Sequence, residues 1–133
     1  MSDIYVCNAL NTEEYDKIEG KSCIDYWCEK TGGLWFYCRA CHSLIEPSNG
    51  IVGGHVIDFL SETPHIYITP IHDICNKRKG ELPYFLVAEN DLVRIPKADE
   101  EQKILNDEEN IQHIQKMKET LKEELKKRFS TFI

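Results

Sequence analysis

The sequence predicts an α+β fold, with short strands and turns through about residue 97 and a long helix closing the chain. Three observations carry that expectation. Two apolar runs, 51–58 and 65–69, are strand-like and are joined across residues 60–64, the pattern of a β-hairpin. The hairpin is bracketed by two donor pairs, Cys38-Arg39-Ala40-Cys41 before it and His72-Asp73-Ile74-Cys75 after it, each with two residues between the donors. From about Ala98, apolar residues recur at spacings of three, four and seven among charged ones. The expected division is therefore a metal-binding α+β domain over 1–97, with its core near 35–80, and a C-terminal amphipathic helix over 98–133.

The donor pairs set the chemistry. Three sulfurs and one imidazole nitrogen suit a single tetrahedral zinc, and pairs spaced by two residues are the usual way a short chain supplies them. A turn points both sulfurs of Cys38 and Cys41 inward, and an opening helical turn puts His72 and Cys75 on one face. Cys38, Cys41, His72 and Cys75 are the expected ligands of a structural zinc. His42, next to Cys41, is read as a surface residue and stands in reserve as a ligand. Cys23 and Cys28 straddle Tyr26-Trp27 and read as thiols packed in the core.

Composition narrows the classes. The 133 residues suffice for one domain with a modest core. No apolar leader-like stretch follows Met1-Ser2-Asp3, and no apolar run is long enough to cross a bilayer, so no membrane association is expected. Six cysteines without a leader point to a cytoplasmic, reducing setting where thiols persist. A net charge of −7 argues against a protein that coats nucleic acid indiscriminately. Residues 36–80 are nevertheless neutral, with the basic run Lys77-Arg78-Lys79 at one end.

Taken in order, Ile4-Tyr5-Val6 is β-prone, and 11–18 reads as a brief helix that Gly20 ends. Gly32-Gly33 marks a turn, and 34–37 reads as a strand running into the first donor pair. In the hairpin, alternation puts Ile66 and Ile68 on one face and His65, Tyr67 and Thr69 on the other. After Gly80, residues 84–88 and 92–95 read as a second hairpin around Glu89-Asn90-Asp91. Asn106-Asp107-Glu108-Glu109 resembles a helix restart. Beyond it Ile111, Ile114, Met117, Leu121, Leu125 and Phe129 form a narrow apolar stripe, which suits a short coiled coil or other assembly helix, with a homo-oligomer as one outcome. His113, within that charged helix, is expected to be solvated.

The order of ligand turn, hairpin and helix opening on the second pair resembles a treble-clef zinc finger, and in detail the HNH branch of the His-Me finger nucleases. The residues that carry this likeness are Gly53-Gly54-His55-Val56 on the first hairpin strand and Cys75-Asn76 after the last ligand. The likeness covers about residues 35–80. It implies that His55 is a general base activating water, that Asn76 offers an oxygen to Mg²⁺ or Mn²⁺, and that Lys77, Arg78 and Lys79 hold neighbouring phosphates. The glycine pair would let a phosphate approach the backbone.

This chain departs from the family at two points. Gly54 stands where an acidic metal ligand usually precedes the histidine, and the second strand has no Asn to orient it, with Asp58 and His65 as the nearest substitutes. The sequence therefore points first to a zinc-stabilised HNH-like binding module for nucleic acid or a protein partner, and second to a metal-dependent HNH-like endonuclease.

Overall fold

The first strand of the chain is an inner strand of the sheet. β1 (Asp3–Asn8) brings two partners together, pairing through residues 3–6 with one strand and through Cys7 and Asn8 with another. The structure is a computed structural model, and it describes residues 2–33, 37–44, 50–77 and 84–130. The change of partner along β1 curls the sheet.

After β1, the segment expected to be helical takes one turn of 3-10 helix at Glu13–Tyr15 and then a small hairpin, β2 (Lys17–Ile18) and β3 (Lys21–Ser22). Gly20 makes the tight turn between them at φ +78, a conformation that disfavours a side chain. It closes a hairpin where a helix end was expected. Next comes α1 (Cys23–Thr31), a helix with clear sequence punctuation. Ser22 caps its start by accepting from the Asp25 N–H at 3.2 Å, and Gly32 ends it in the left-handed region, donating to the Cys28 carbonyl. Cys23, Tyr26 and Trp27 are its buried face.

The expected hairpin is present as β4 (Ile51–Ile57) and β5 (Ile66–His72). β5 runs three residues past its predicted end, through Pro70 to His72. Pro70 is tolerated there because it faces Gly53 and its missing N–H falls on the far side of the strand, where its carbonyl accepts from Arg39 N at 3.0 Å. His72 is thus the last residue of a strand, while Cys75 sits in the short helix α2 (Asp73–Lys77).

The second predicted hairpin does not form. β6 (Phe85–Ala88) pairs with β1 and β7 (Val93–Arg94) pairs with β5, so the two lie at opposite ends of an antiparallel sheet ordered β6-β1-β4-β5-β7. Local alternation found the strands, but the edges of β1 and β5 took them. α3 (Ala98–Asn106) and α4 (Glu108–Ser130) follow, separated at Asp107, whose side chain accepts from the Glu109 and Asn110 N–H groups as a restart cap.

Period-two alternation divides the sheet's residues between two cores. Ile57, Ile66 and Ile68 meet Trp27, Phe59, Ile104, Met117 and Leu121 in the larger one. Val56 and Ile71 meet Val6, Phe85, Val87 and the thiols of Cys38 and Cys75 in the smaller.

The first half of α4 packs on its own chain. Asn110 is fully buried; its Oδ1 accepts from Leu10 N at 2.7 Å, and its Nδ2 donates to the carbonyls of Leu10 and Ile104 at 2.9 Å each. His113, expected in solvent, is buried on the same side because it shares this docked face. Burial, then the Lys116 charge, lowers its pKa against a hydrogen bond to the Asn8 backbone that raises it. Ile111, Leu125 and Phe129 remain exposed.

Candidate metal centre

Cys38 and Cys41 lie in a turn closed by a bridge between Tyr37 and Leu44. The Cys38 N–H donates to the Ser43 carbonyl at 2.9 Å, and the His42 N–H to the Cys38 carbonyl at 2.8 Å. His42 takes the left-handed conformation at φ +64 and stacks on Tyr37, so it leaves the donor cluster to others. β5 and α2 bring the second pair over this turn. The donor atoms of Cys38, Cys41, His72 and Cys75 all lie within 4.8 Å of one another, and Cys41 Sγ is 3.3 Å from His72 Nδ1. A filled zinc–sulfur tetrahedron needs donors about 3.8 Å apart, from its ~2.3 Å bonds. The four expected ligands therefore converge on one metal-sized space, and the cluster can hold an ion such as zinc.

The electrostatics of the thiols fit a cation. The Cys38 sulfur accepts main-chain N–H groups from Cys41 at 3.4 Å and His72 at 3.3 Å. Burial raises the Cys41 thiol, but hydrogen bonds from Ser43, His72 and Cys38 outweigh it and bring it down to about 6. Burial pushes the Cys75 thiol up to about 12, with the neighbouring Cys38 and Cys41 sulfurs adding to the rise. Sulfurs this close cannot all carry charge without a cation among them, and a dication removes that conflict. Cys38, His72 and Cys75 are buried while Cys41 is exposed, which leaves an approach from solvent.

The residues expected to act on a ligand lie next to this centre. His55 and Asn76 line one cavity of about 550 Å³, bounded also by Thr12, Glu13, Asp16, the first turn of α1, Ile51 to Gly53 and Asp73. The cavity opens where β1 has ended and β4 continues. His55 is only 5 % exposed there. Of the basic run, Arg78 and Lys79 fall outside the described residues, as does the side chain of Lys77.

The two glycines before His55 serve packing. A Cβ on Gly53 would sit 2.7 Å from backbone atoms of Cys23 and Ile24, and one on Gly54 would collide with Ile71 and come within 3.4 Å of Asn76 Oδ1. Protein fills the space that the family likeness assigned to phosphate. The substitutes considered for an orienting Asn are engaged elsewhere. Asp58 accepts from the His65 N–H at 2.6 Å, and His65 Nδ1 is paired with Glu101 at 3.0 Å.

Sequence reading missed the acidic wall of the cavity. Glu13, Asp16 and Asp73 come from three separate segments, and nothing in their local pattern ties them to His55. It also missed Arg39, whose position between two ligands was the one available signal. The chain matches no family model, no curated protein and no solved structure. What stands is an α+β domain with a curled antiparallel sheet, a long C-terminal helix and a Cys3His cluster able to hold a metal ion. Among the described residues no helix is long and apolar enough to cross a membrane.

Proposed function

We propose that this chain is a zinc-stabilised, treble-clef module of the HNH-like type that recognises nucleic acid or a protein partner, with α4 contributing to assembly. The observation that carries this reading is the convergence of Cys38, Cys41, His72 and Cys75 from a turn, a strand end and a helix, in the order turn, hairpin, helix. A tetrahedral zinc there is structural, since four protein donors leave no open position for substrate. Recognition falls to the neighbouring cavity and its rim. Its described walls carry Glu13, Asp16 and Asp73, so contact with phosphates relies on the basic run Lys77, Arg78 and Lys79 that follows Asn76 in the sequence.

One observation favours a second reading, a metal-dependent HNH-like endonuclease: His55 and Asn76 line the same cavity. In that reading the His55 imidazole takes a proton from the attacking water as the P–O bond breaks, and Asn76 supplies a hard oxygen donor. Mg²⁺ or Mn²⁺ would supply charge stabilisation at the phosphate. The absence of an acid at position 54 ranks this reading second.

The deciding experiment incubates zinc-loaded protein with single- and double-stranded DNA and RNA, with and without Mg²⁺ or Mn²⁺, and follows both binding and cleavage. The expected result is salt-sensitive binding without cleavage, weakened by charge reversal at Lys77, Arg78 and Lys79. Cleavage that disappears in His55→Ala, with zinc content and fold retained, would establish the second reading. A protein that purifies without zinc when no chelator is used would remove the foundation of both.

A further inference from the structure

Arg39 lies between the first two donors, yet its side chain turns away from them and into the apolar side of the molecule. It is 6 % exposed. Its guanidinium carbon sits 4.0 Å from the Tyr37 ring centroid and 5.4 Å from that of Trp27. Its Nε donates to Asp91 Oδ2 at 3.2 Å, its Nη1 to the Tyr37 carbonyl at 2.7 Å, and its backbone N–H to the Pro70 carbonyl at 3.0 Å. The backbone oxygen of Asp91 in turn accepts from Trp27 Nε1 at 2.9 Å and Thr69 Oγ1 at 3.0 Å. The Arg39 side chain thus fastens the Cys38–Cys41 turn to α1 and to the segment leading into β7, and its backbone N–H ties the turn to β5.

None of those contacts uses a metal donor. The turn also carries its own closing bonds, the Cys38 N–H to Ser43 and the His42 N–H to Cys38. A short loop tied at both levels loses little freedom when an ion arrives, and a donor pair fixed in advance binds more tightly than one that must be ordered. A buried, planar, permanently charged fork with two aromatic faces and a carboxylate is a stiff anchor of this kind.

We infer that Arg39 is a positioning residue for the metal centre: it holds the Cys38–Cys41 turn in ligand geometry before an ion is bound, so that an arriving ion meets a preformed half-site. The inference rests on the reading of the cluster as a metal site, and its test separates the two.

The full chain is stripped with a chelator and compared with Arg39→Ala, Arg39→Lys and Asp91→Asn. Amide hydrogen exchange is followed in the metal-free state. Co²⁺ is then titrated against a competing chelator, and the visible absorption of thiolate-bound cobalt reports site formation. In the metal-free wild type, the amides of Cys38 and His42 should stay protected. Arg39→Ala should lose that protection and bind Co²⁺ about 10–100-fold more weakly, the range found when the support of a ligand is removed. Arg39→Lys should recover only part of the affinity, because an ammonium lacks the fork. Asp91→Asn keeps the backbone oxygen used by Trp27 and Thr69, and should shift affinity in the same direction by less. A purely structural role would lower the melting temperature of Arg39→Ala while leaving cobalt affinity within twofold of wild type, and that result overturns the inference. Free exchange of both amides in metal-free wild type overturns it as well. If Arg39→Ala does not fold, the wild-type exchange and Asp91→Asn affinity decide. A wild type that binds neither Co²⁺ nor Zn²⁺ refutes the metal site, while the exchange measurement still judges whether the turn is preformed.

Discussion

The two faces of the sheet are held by different means. On one, α1, α3 and α4 bury Trp27, Phe59, Ile57, Ile66, Ile68 and Met117 in a core of large side chains. On the other, the buried residues are three valines, one isoleucine, one phenylalanine and two cysteines of the Cys3His cluster. Apolar burial contributes about 25 cal/mol per Å², so small residues under a five-residue helix and a short turn supply little cohesion of their own. The difference teaches where a metal would matter most: an ion in the Cys3His cluster would stand in for the core that the second face lacks.

The largest expected effects come from attacking one face at a time. Phe59→Ala should destabilise the fold by about 3–5 kcal/mol, from lost burial and the cavity left behind, while zinc stoichiometry stays unchanged. Cys75→Ser should do the reverse. It should abolish zinc binding and forfeit about 4 kcal/mol when free zinc stands a thousandfold above Kd, whereas Cys7→Ser, buried in the large core, keeps the metal. Denaturation with and without zinc, alongside metal analysis, checks both. Equal zinc dependence in Phe59→Ala and Cys75→Ser would break the comparison.

A smaller effect sharpens the account of the helical face through pH. Burial raises the Glu101 carboxyl, but Arg94, the Ile66 N–H and His65 outweigh it and hold its pKa below 4.5. His113 is held below 6.5. In both cases the unfolded chain takes up the proton first, so stability is full above the unfolded value and is lost as pH falls toward the folded one. Thermal midpoints should therefore begin to drop below about pH 6.5, and again below about pH 4.5. His113→Gln should remove the first drop, and Glu101→Gln the second, at a cost of about 1–2 kcal/mol near neutrality.

The smallest effect concerns the end of α4. Leu125 and Phe129 are 40 % and 70 % exposed, so changing both to Ser should alter monomer stability by less than about 0.5 kcal/mol. If the helix mediates assembly, the same change should shift sedimentation toward the monomer. Identical sedimentation of both proteins at high concentration would end that proposal.

Much of the candidate site was legible because it is local. Donors with two residues between them declare themselves, and the apolar run 51–58 with the alternating run 65–69 places the hairpin that separates the pairs. What remained hidden depends on contacts far apart in sequence. The strands at 85–88 and 93–94 were visible, but which edge each would join was not, since pairing is decided by distant partners. His113 looked solvated because its neighbours are charged, yet it faces Asn8 across the chain. Gly53 and Gly54 advertised close approach without saying that α1 and Ile71 are what approaches. The capping signals at Ser22 and Gly32 were present in the sequence, and α1 was legible in principle.

The place of β1 between β6 and β4 bears on the order in which the chain acquires its structure. As synthesis proceeds, this strand emerges before its partners and must wait for residues 56–57 and then 85–88 before its edges are satisfied. Its end at Leu10 is locked only when Asn110 arrives, a hundred residues later. Contacts of such long sequence separation slow folding and leave an unpaired strand open to wrong partners in the interval. The nascent chain is therefore most vulnerable at β1, and α4 acts as the latch that ends that exposure.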